Sequence, residues 1–254
     1  MQTTDNTILI TGGGSGIGRA LAERFHALGN RVIITGRRQE MLEEMAAAHP
    51  GMEFRTLDIA DAAAVADFSA RMRADFPELN VVINNAGIMP SEAVTAPDFS
   101  LASAEATVAT NLLGPIRLTA GLLPHLMTRD RAAVLFVSSG LAFLPLAVTP
   151  TYCATKAAIH SYAQSLRFQL RETSVEVIEL APPYVQTQLQ GPRQESDPNA
   201  MPLKDFIDDT MDILTRNPDV QEVLVERVHP LRFAEKGDYA AFFQRFNTMF
   251  AAGH

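Results

Sequence analysis

The chain alternates short aliphatic runs with longer stretches in which apolar residues recur every three or four positions. Thr7–Thr11 (TILIT) is an apolar run of the kind that a strand buried on both faces requires. Residues 17–28 then set Ile17, Leu21, Phe25 and Leu28 on one helical face, and Gly29 closes that helix. The pattern repeats along the chain. Strands are predicted at Arg31–Gly36, 52–57, 80–84, 132–138 and 174–180, and helices at 39–49, 61–75, 101–127 and 150–172. Strands alternating with helices at this spacing imply right-handed βαβ units, hence an α/β fold with a parallel sheet covered on both faces. A polar, turn-rich loop follows at 190–202. Beyond it a helix at Leu203–Arg216, a last strand at 221–225 and a helix at 238–250 are expected. Phe242, Phe243, Phe246 and Phe250 have helical spacing in that last element and read as a stripe packed on the core or on a neighbouring subunit.

Composition narrows the class. A length of 254 residues allows one large domain or two small ones. No linker, repeat or low-complexity segment divides the chain, so a single domain over 1–254 is expected. With 47% hydrophobic and 20% charged residues, disorder is excluded. No apolar run reaches the roughly 20 residues that span a bilayer, and the N-terminus lacks a basic region followed by an apolar one. A net charge of −8 argues against nucleic-acid and anionic-membrane partners. The single cysteine, Cys153, excludes an intrachain disulfide and a cysteine-rich metal site. Together these suggest a cytoplasmic protein.

The first candidate chemistry sits between the first strand and the first helix. Thr11-Gly12-Gly13-Gly14-Ser15-Gly16-Ile17-Gly18 brings backbone close to a ligand without Cβ clashes, and the helix start offers free N–H groups to a pyrophosphate. A tight turn is the plainer reading of such a loop. Its spacing is TGxxxGxG rather than the common G-x-G-x-x-G. The second strand ends Thr35-Gly36-Arg37-Arg38, without the acid that commonly holds a ribose hydroxyl in NAD sites. A guanidinium suits a 2′-phosphate that a carboxylate would repel, so NADP(H) is inferred over NAD(H). Alternatively, Arg37 and Arg38 only solvate the next helix.

Tyr152 and Lys156 stand four apart and share one helix face. A nearby ammonium lowers the pKa of a phenol, usually about 10, toward a range useful for proton transfer. Taken with TGGGSGIG, Asn84-Asn85-Ala86-Gly87 and Ser139, thirteen positions before Tyr152, this ordered set resembles the short-chain dehydrogenase/reductase family over residues 7–187. The resemblance implies a Rossmann-type doubly wound sheet and a homodimer or homotetramer built on the helices near 101–127 and 150–172. It assigns Tyr152 as general acid/base, Lys156 as its tuning partner and ribose ligand, and Ser139 as the group orienting the reacting oxygen. Asn111 would hold a water linking the lysine to solvent, although an Asn in a helix is also simply tolerated. Cofactor contacts are implied for Gly12, Gly14, Ser15, Gly16, Ile17 and Gly18. They are also implied for Arg37, Arg38, Asp58, Ile59, Asn85, Ala86 and Gly87, and for Tyr152, Lys156, Pro182, Val185 and Thr187.

Some positions fall outside the pattern. Pro183 stands where the family usually has glycine, which removes an N–H and fixes φ near −65°. The glycine-rich C-terminal segment of compact members is missing. A mobile substrate lid is expected around 188–217, with Met201, Leu203, Phe206 and Ile207 as its apolar face. Leu141, Phe143 and Leu144 would add apolar surface beside the active site, so a fairly hydrophobic substrate is expected. Cys153 reads as a small core residue, Ser138 as structural and His160 as packing or surface. The six histidines show no metal-ligand spacing, so no metal is expected. The expected function is NADP(H)-dependent hydride transfer between an alcohol and a carbonyl. An imine-type reductase and a cofactor-binding regulatory protein with little turnover are the alternatives.

Overall fold

A computed structural model describes the backbone of residues 1–251 and the side chains of residues 1–249. The strands β1 (Thr7–Thr11), β2 (Arg31–Gly36), β3 (Glu53–Thr56), β4 (Leu79–Asn84), β5 (Ala132–Val137), β6 (Val175–Leu180) and β7 (Glu222–Val223) form one parallel sheet in the order β3-β2-β1-β4-β5-β6-β7. Every residue of β1, β4 and β5 is buried, as a sheet covered on both faces demands. Successive side chains alternate between two cores. On one face Ile8 and Ile10 meet Leu21 and Phe25 of α1 (Gly16–Ala27), Leu42 and Met45 of α2 (Gln39–Ala48), and Phe206 and Met211 of α8 (Leu203–Arg216). On the other face Leu9 and Phe136 meet Phe68 of α3 (Ala62–Asp75), Leu118 and Leu122 of α5 (Gly114–Leu126), and Ile159 of α6 (Pro150–Leu170). Fully burying each such side chain stabilises the fold by about 1.5–3 kcal/mol. The strand order reverses direction beside β1, and a crevice opens there at the C-terminal ends of β1 and β4, where a doubly wound sheet binds its ligand.

Local signals account for most element ends. Asp61 accepts hydrogen bonds from Ala63 N (2.9 Å) and Ala64 N (3.0 Å), which caps α3. Gly29 takes φ +82°, a left-handed turn after α1 that favours glycine. The helical region predicted at 101–127 is not one α-helix. It runs as α4 (Ala102–Val108), a π-helical turn (Ala109–Leu113) and α5. The widened turn carries Asn111, and π turns often mark functional positions. The short helices α7 (Pro192–Glu195) and α9 (His229–Arg232) precede α10 (Tyr239–Ala251), and only two residues of the strand expected at 221–225 join the sheet.

The apolar face expected over a substrate lies elsewhere. Phe206, Ile207 and Met201 are buried in the core beneath the sheet, and Leu203 packs against that core. Because α8 lies against α1, its hydrophobic stripe covers the sheet. The aromatic tail does reach the active side: Phe246 packs beside Met89, Leu146 and Tyr152. The side chain of Phe250 lies outside the described residues. No helix among the described residues is long and apolar enough to cross a membrane.

Candidate active site

A cleft of about 400 Å³ runs along the C-terminal ends of β1, β2 and β4 to the start of α6. Gly12 takes φ +68°, and a Cβ there would come within 2.9 Å of the Ala86 backbone. The loop is tied to the strand beside it: the backbone N–H groups of Asn85 and Ala86 both donate to Thr11 Oγ1 at 3.0 Å, and Asn85 Nδ2 donates to Thr11 O at 2.9 Å. Ser15 precedes α1 without a side-chain cap, so the first N–H groups of a twelve-residue helix face the cleft. At the outer end Arg38 donates to Ser15 Oγ at 2.8 Å, which holds its guanidinium over the loop, and Arg37 lines the same cleft. Among the described residues the lining includes Arg37, Arg38 and Lys156 and no Asp or Glu. A cationic, acid-free crevice with an uncapped helix start fits a phosphorylated dinucleotide.

The inner end is built by β5 and α6. Beyond Val137 the chain turns through Ser138 and Ser139, and Ser139 Oγ accepts from Leu141 N at 3.1 Å. The start of α6 is held by Glu92, whose Oε2 accepts from Thr151 N (3.2 Å) and Thr151 Oγ1 (2.8 Å). Tyr152 is thereby presented to Ser139, and the two side chains are hydrogen-bonded. Lys156 Nζ donates to Val137 O at 2.8 Å and lies 5.5 Å from the centroid of the Tyr152 ring.

Burial dominates the electrostatics. Loss of solvation raises the pKa of Tyr152 above the usual phenol range, while the hydrogen bond to Ser139 acts the other way. Lys156, expected to lower that pKa, is not among the groups that shift Tyr152 in this site, and burial prevails. Burial also pulls Lys156 down to about 8, opposed by the negative charge of Glu179.

Of the residues expected at a cofactor, Gly12, Gly14, Ser15, Gly16, Ile17, Arg37, Arg38, Ile59, Asn85, Ala86, Gly87, Tyr152, Lys156, Pro182, Val185 and Thr187 line the cleft, as does the catalytic candidate Ser139. Gly18 and Asp58 are not among the lining residues. Gly18 is a packing position, since a Cβ there would meet Asn85 Nδ2 at 2.3 Å and Gly12 O at 2.4 Å. Asp58 is exposed and turns back to accept from Ala60 N at 3.0 Å. Asn111 stands behind the cleft. Its Nδ2 donates to Ile88 O at 2.8 Å, and its Oδ1 accepts from Ile88 N at 2.9 Å and lies 3.4 Å from where a Gly87 Cβ would be. Pro183 lines the cleft, and Thr187 sits 3.5 Å from the Cβ position of Gly16, over the loop. Cys153 is packed: its thiol accepts from Leu146 N at 3.3 Å, and burial raises its pKa.

Sequence reasoning did not find Gln194 or Thr110. Gln194 lines the cleft and donates to Val185 O at 2.8 Å, and no motif marks it. A second cavity of about 420 Å³ adjoins the inner end, lined by Ile88, Met89, Pro90, Ala106 and Leu189 with Ser91, Ser103 and Gln190.

Comparison with known proteins agrees with this geometry. A family model described as short chain dehydrogenase matches residues 6–198. DltE of Bacillus subtilis, an uncharacterized oxidoreductase, is 41% identical over 256 residues, 98% of this chain and 99% of its own. A serine dehydrogenase in its closed form complexed with NADP+ is 26% identical with a TM-score of 0.74, over 82% of this chain and 88% of that one. A short-chain dehydrogenase from Streptomyces avermitilis shares the fold, with a TM-score of 0.82 at 24% identity over 99% of both chains.

Proposed function

The chain belongs to the short-chain dehydrogenase family of oxidoreductases, and from that premise we propose that it moves hydride between NADP(H) and an alcohol/carbonyl pair. The observation that carries this reading is the convergence of Ser139, Tyr152 and Lys156 at one end of a cleft whose other end presents Arg37 and Arg38. Bound NADPH would supply the hydride. The uncapped start of α1 would bind the pyrophosphate and the two arginines the 2′-phosphate. Tyr152, kept protonated by burial, is the acid that delivers a proton to the carbonyl oxygen. Ser139 holds that oxygen. Lys156, with a pKa of about 8, then reprotonates the phenolate, and Asn111 behind Gly87 continues the path toward solvent. The uncharged second cavity favours an apolar carbonyl compound.

The test is Tyr152→Phe against a panel of aldehydes, ketones and quinones. NADPH binding by fluorescence should persist, while NADPH oxidation falls by at least ~100-fold. A wild-type protein that binds NADPH and consumes none with any of these compounds would instead be a cofactor-binding regulator. For cofactor choice, NADPH should bind at least tenfold tighter than NADH, about 1.4 kcal/mol. Equal affinities would refute the role of the arginines.

A further inference from the structure

The reaction proposed above leaves a buried carboxylate unused. Glu179 on β6 is 1% exposed and stands opposite Phe136 in the register with β5. Its two oxygens are engaged by different elements. Ser138 Oγ donates to Oε1 at 2.5 Å, and His160 Nδ1 of α6 lies 2.7 Å from Oε2. Ser138 falls between Val137, whose carbonyl accepts the Lys156 ammonium, and Ser139. His160 is one helical turn beyond Lys156. A carboxylate is costly to bury among sheet residues, so its retention calls for a role.

The remaining charged groups around it argue against a metal. His160, Glu179 and Glu222 bring ligand atoms within 4.8 Å of one another, a grouping that sequence spacing does not reveal. Yet Glu222 of β7 is paired with Arg232 of α9 through two hydrogen bonds of 2.8 and 3.1 Å. Arg167 of α6, bonded to Val177 O and Gln221 O, adds a second guanidinium that senses both carboxylates. Cationic side chains and hydroxyl donors already answer these charges.

Resting on the function proposed above, we infer that Glu179 is a positioning residue of the same site: it fastens the turn that carries Ser139, beside the Val137 carbonyl that receives Lys156. Two adjacent residues at the end of β5 link the groups. Val137 receives the lysine through its carbonyl, and Ser138 reaches the glutamate through its hydroxyl. The charge of Glu179 favours the ammonium form of Lys156 against the burial that opposes it. The groups facing the pair are Tyr152, His160 and Arg167 from α6, Glu222 from β7 and Arg232 from α9.

The chain has three lysines, Lys156, Lys204 and Lys236, so the Cε resonance of Lys156 can be followed by carbon-13 NMR as pH changes, assigned by its loss in Lys156→Met. Glu179→Gln keeps the shape and removes the charge. The Lys156 midpoint should fall by at least about half a pH unit. Glu179→Asp, which keeps the charge, should leave it near the wild-type position. Ser138→Ala should lower turnover several-fold with NADPH affinity unchanged. A wild-type midpoint in Glu179→Gln overturns the proposal. If that variant does not fold, wild-type turnover in Ser138→Ala overturns it instead. The titration needs no substrate, so a wild-type protein without turnover counts against the proposed reaction alone.

Discussion

Lys156 is held at a cost to the fold. Its folded pKa is about 8 against an ordinary value near 10.5. Below about pH 8 the buried ammonium carries the full penalty. Between about 8 and 10.5 the unfolded chain holds a proton that the folded chain has shed, so stability rises with pH through that window. Lys156→Met should therefore abolish turnover yet raise the melting temperature of the ligand-free protein at pH 7 by several degrees, with the gain shrinking toward pH 10. Thermal scans at both pH values check this, and a lower melting temperature at pH 7 would contradict it. At the other end of the cleft, Arg37→Ala with Arg38→Ala should weaken NADPH binding by at least about tenfold and leave NADH unchanged, as read by fluorescence titration. The pair was legible from residue order alone. That Arg38 is the one braced on Ser15 was not, because Ser15 lies 23 positions away.

At the scale of elements, two contacts set the shape of the site. Gly18 lets α1 approach the glycine loop, and Gly18→Ala should force the loop off Asn85. Loss of cofactor affinity and about 1–3 kcal/mol of stability are expected in denaturant titrations with and without NADPH. The C-terminal helix is latched to the segment before α6 by Asn247, whose Oδ1 accepts from Ala147 N at 2.6 Å and whose Nδ2 donates to Pro145 O at 3.1 Å. Neither element lines the dinucleotide cleft. Asn247→Ala should thus raise KM for the carbonyl substrate several-fold without changing NADPH affinity. The periodicity of the tail predicts the helix and its apolar stripe. It carries no sign of the Asn247 latch, since the partners are about a hundred residues apart and joined by backbone atoms, which every residue has.

For the whole molecule, the net charge of −8 and the cationic cleft oppose each other. The local field controls a ligand within a Debye length, about 10 Å at 0.1 M salt. NADPH affinity should accordingly fall as ionic strength rises, and fall more steeply than NADH affinity. Titrations between low and high salt measure the difference, and identical slopes would contradict it. The outer faces of the helical layer expose Leu101 (63%) and Phe168 (67%), which suits the expected homodimer or homotetramer. Light scattering should give a mass of two or four chains, and Phe168→Asp should shift it downward.

The sequence by itself determined the alternation of strands and helices, the two-faced sheet, the glycine loop and the spacing of Ser139, Tyr152 and Lys156. These are local properties: side-chain periodicity, backbone freedom and helical pitch act over a few residues. Only the tertiary structure decided which face α8 covers, why Gly18 must be small, and that burial raises the pKa of Tyr152. The same holds for the meeting of Glu179 with Ser138 and His160. Desolvation and packing depend on residues far apart in the chain, 41 positions for Ser138 and Glu179. No local pattern records which of them will share an interior.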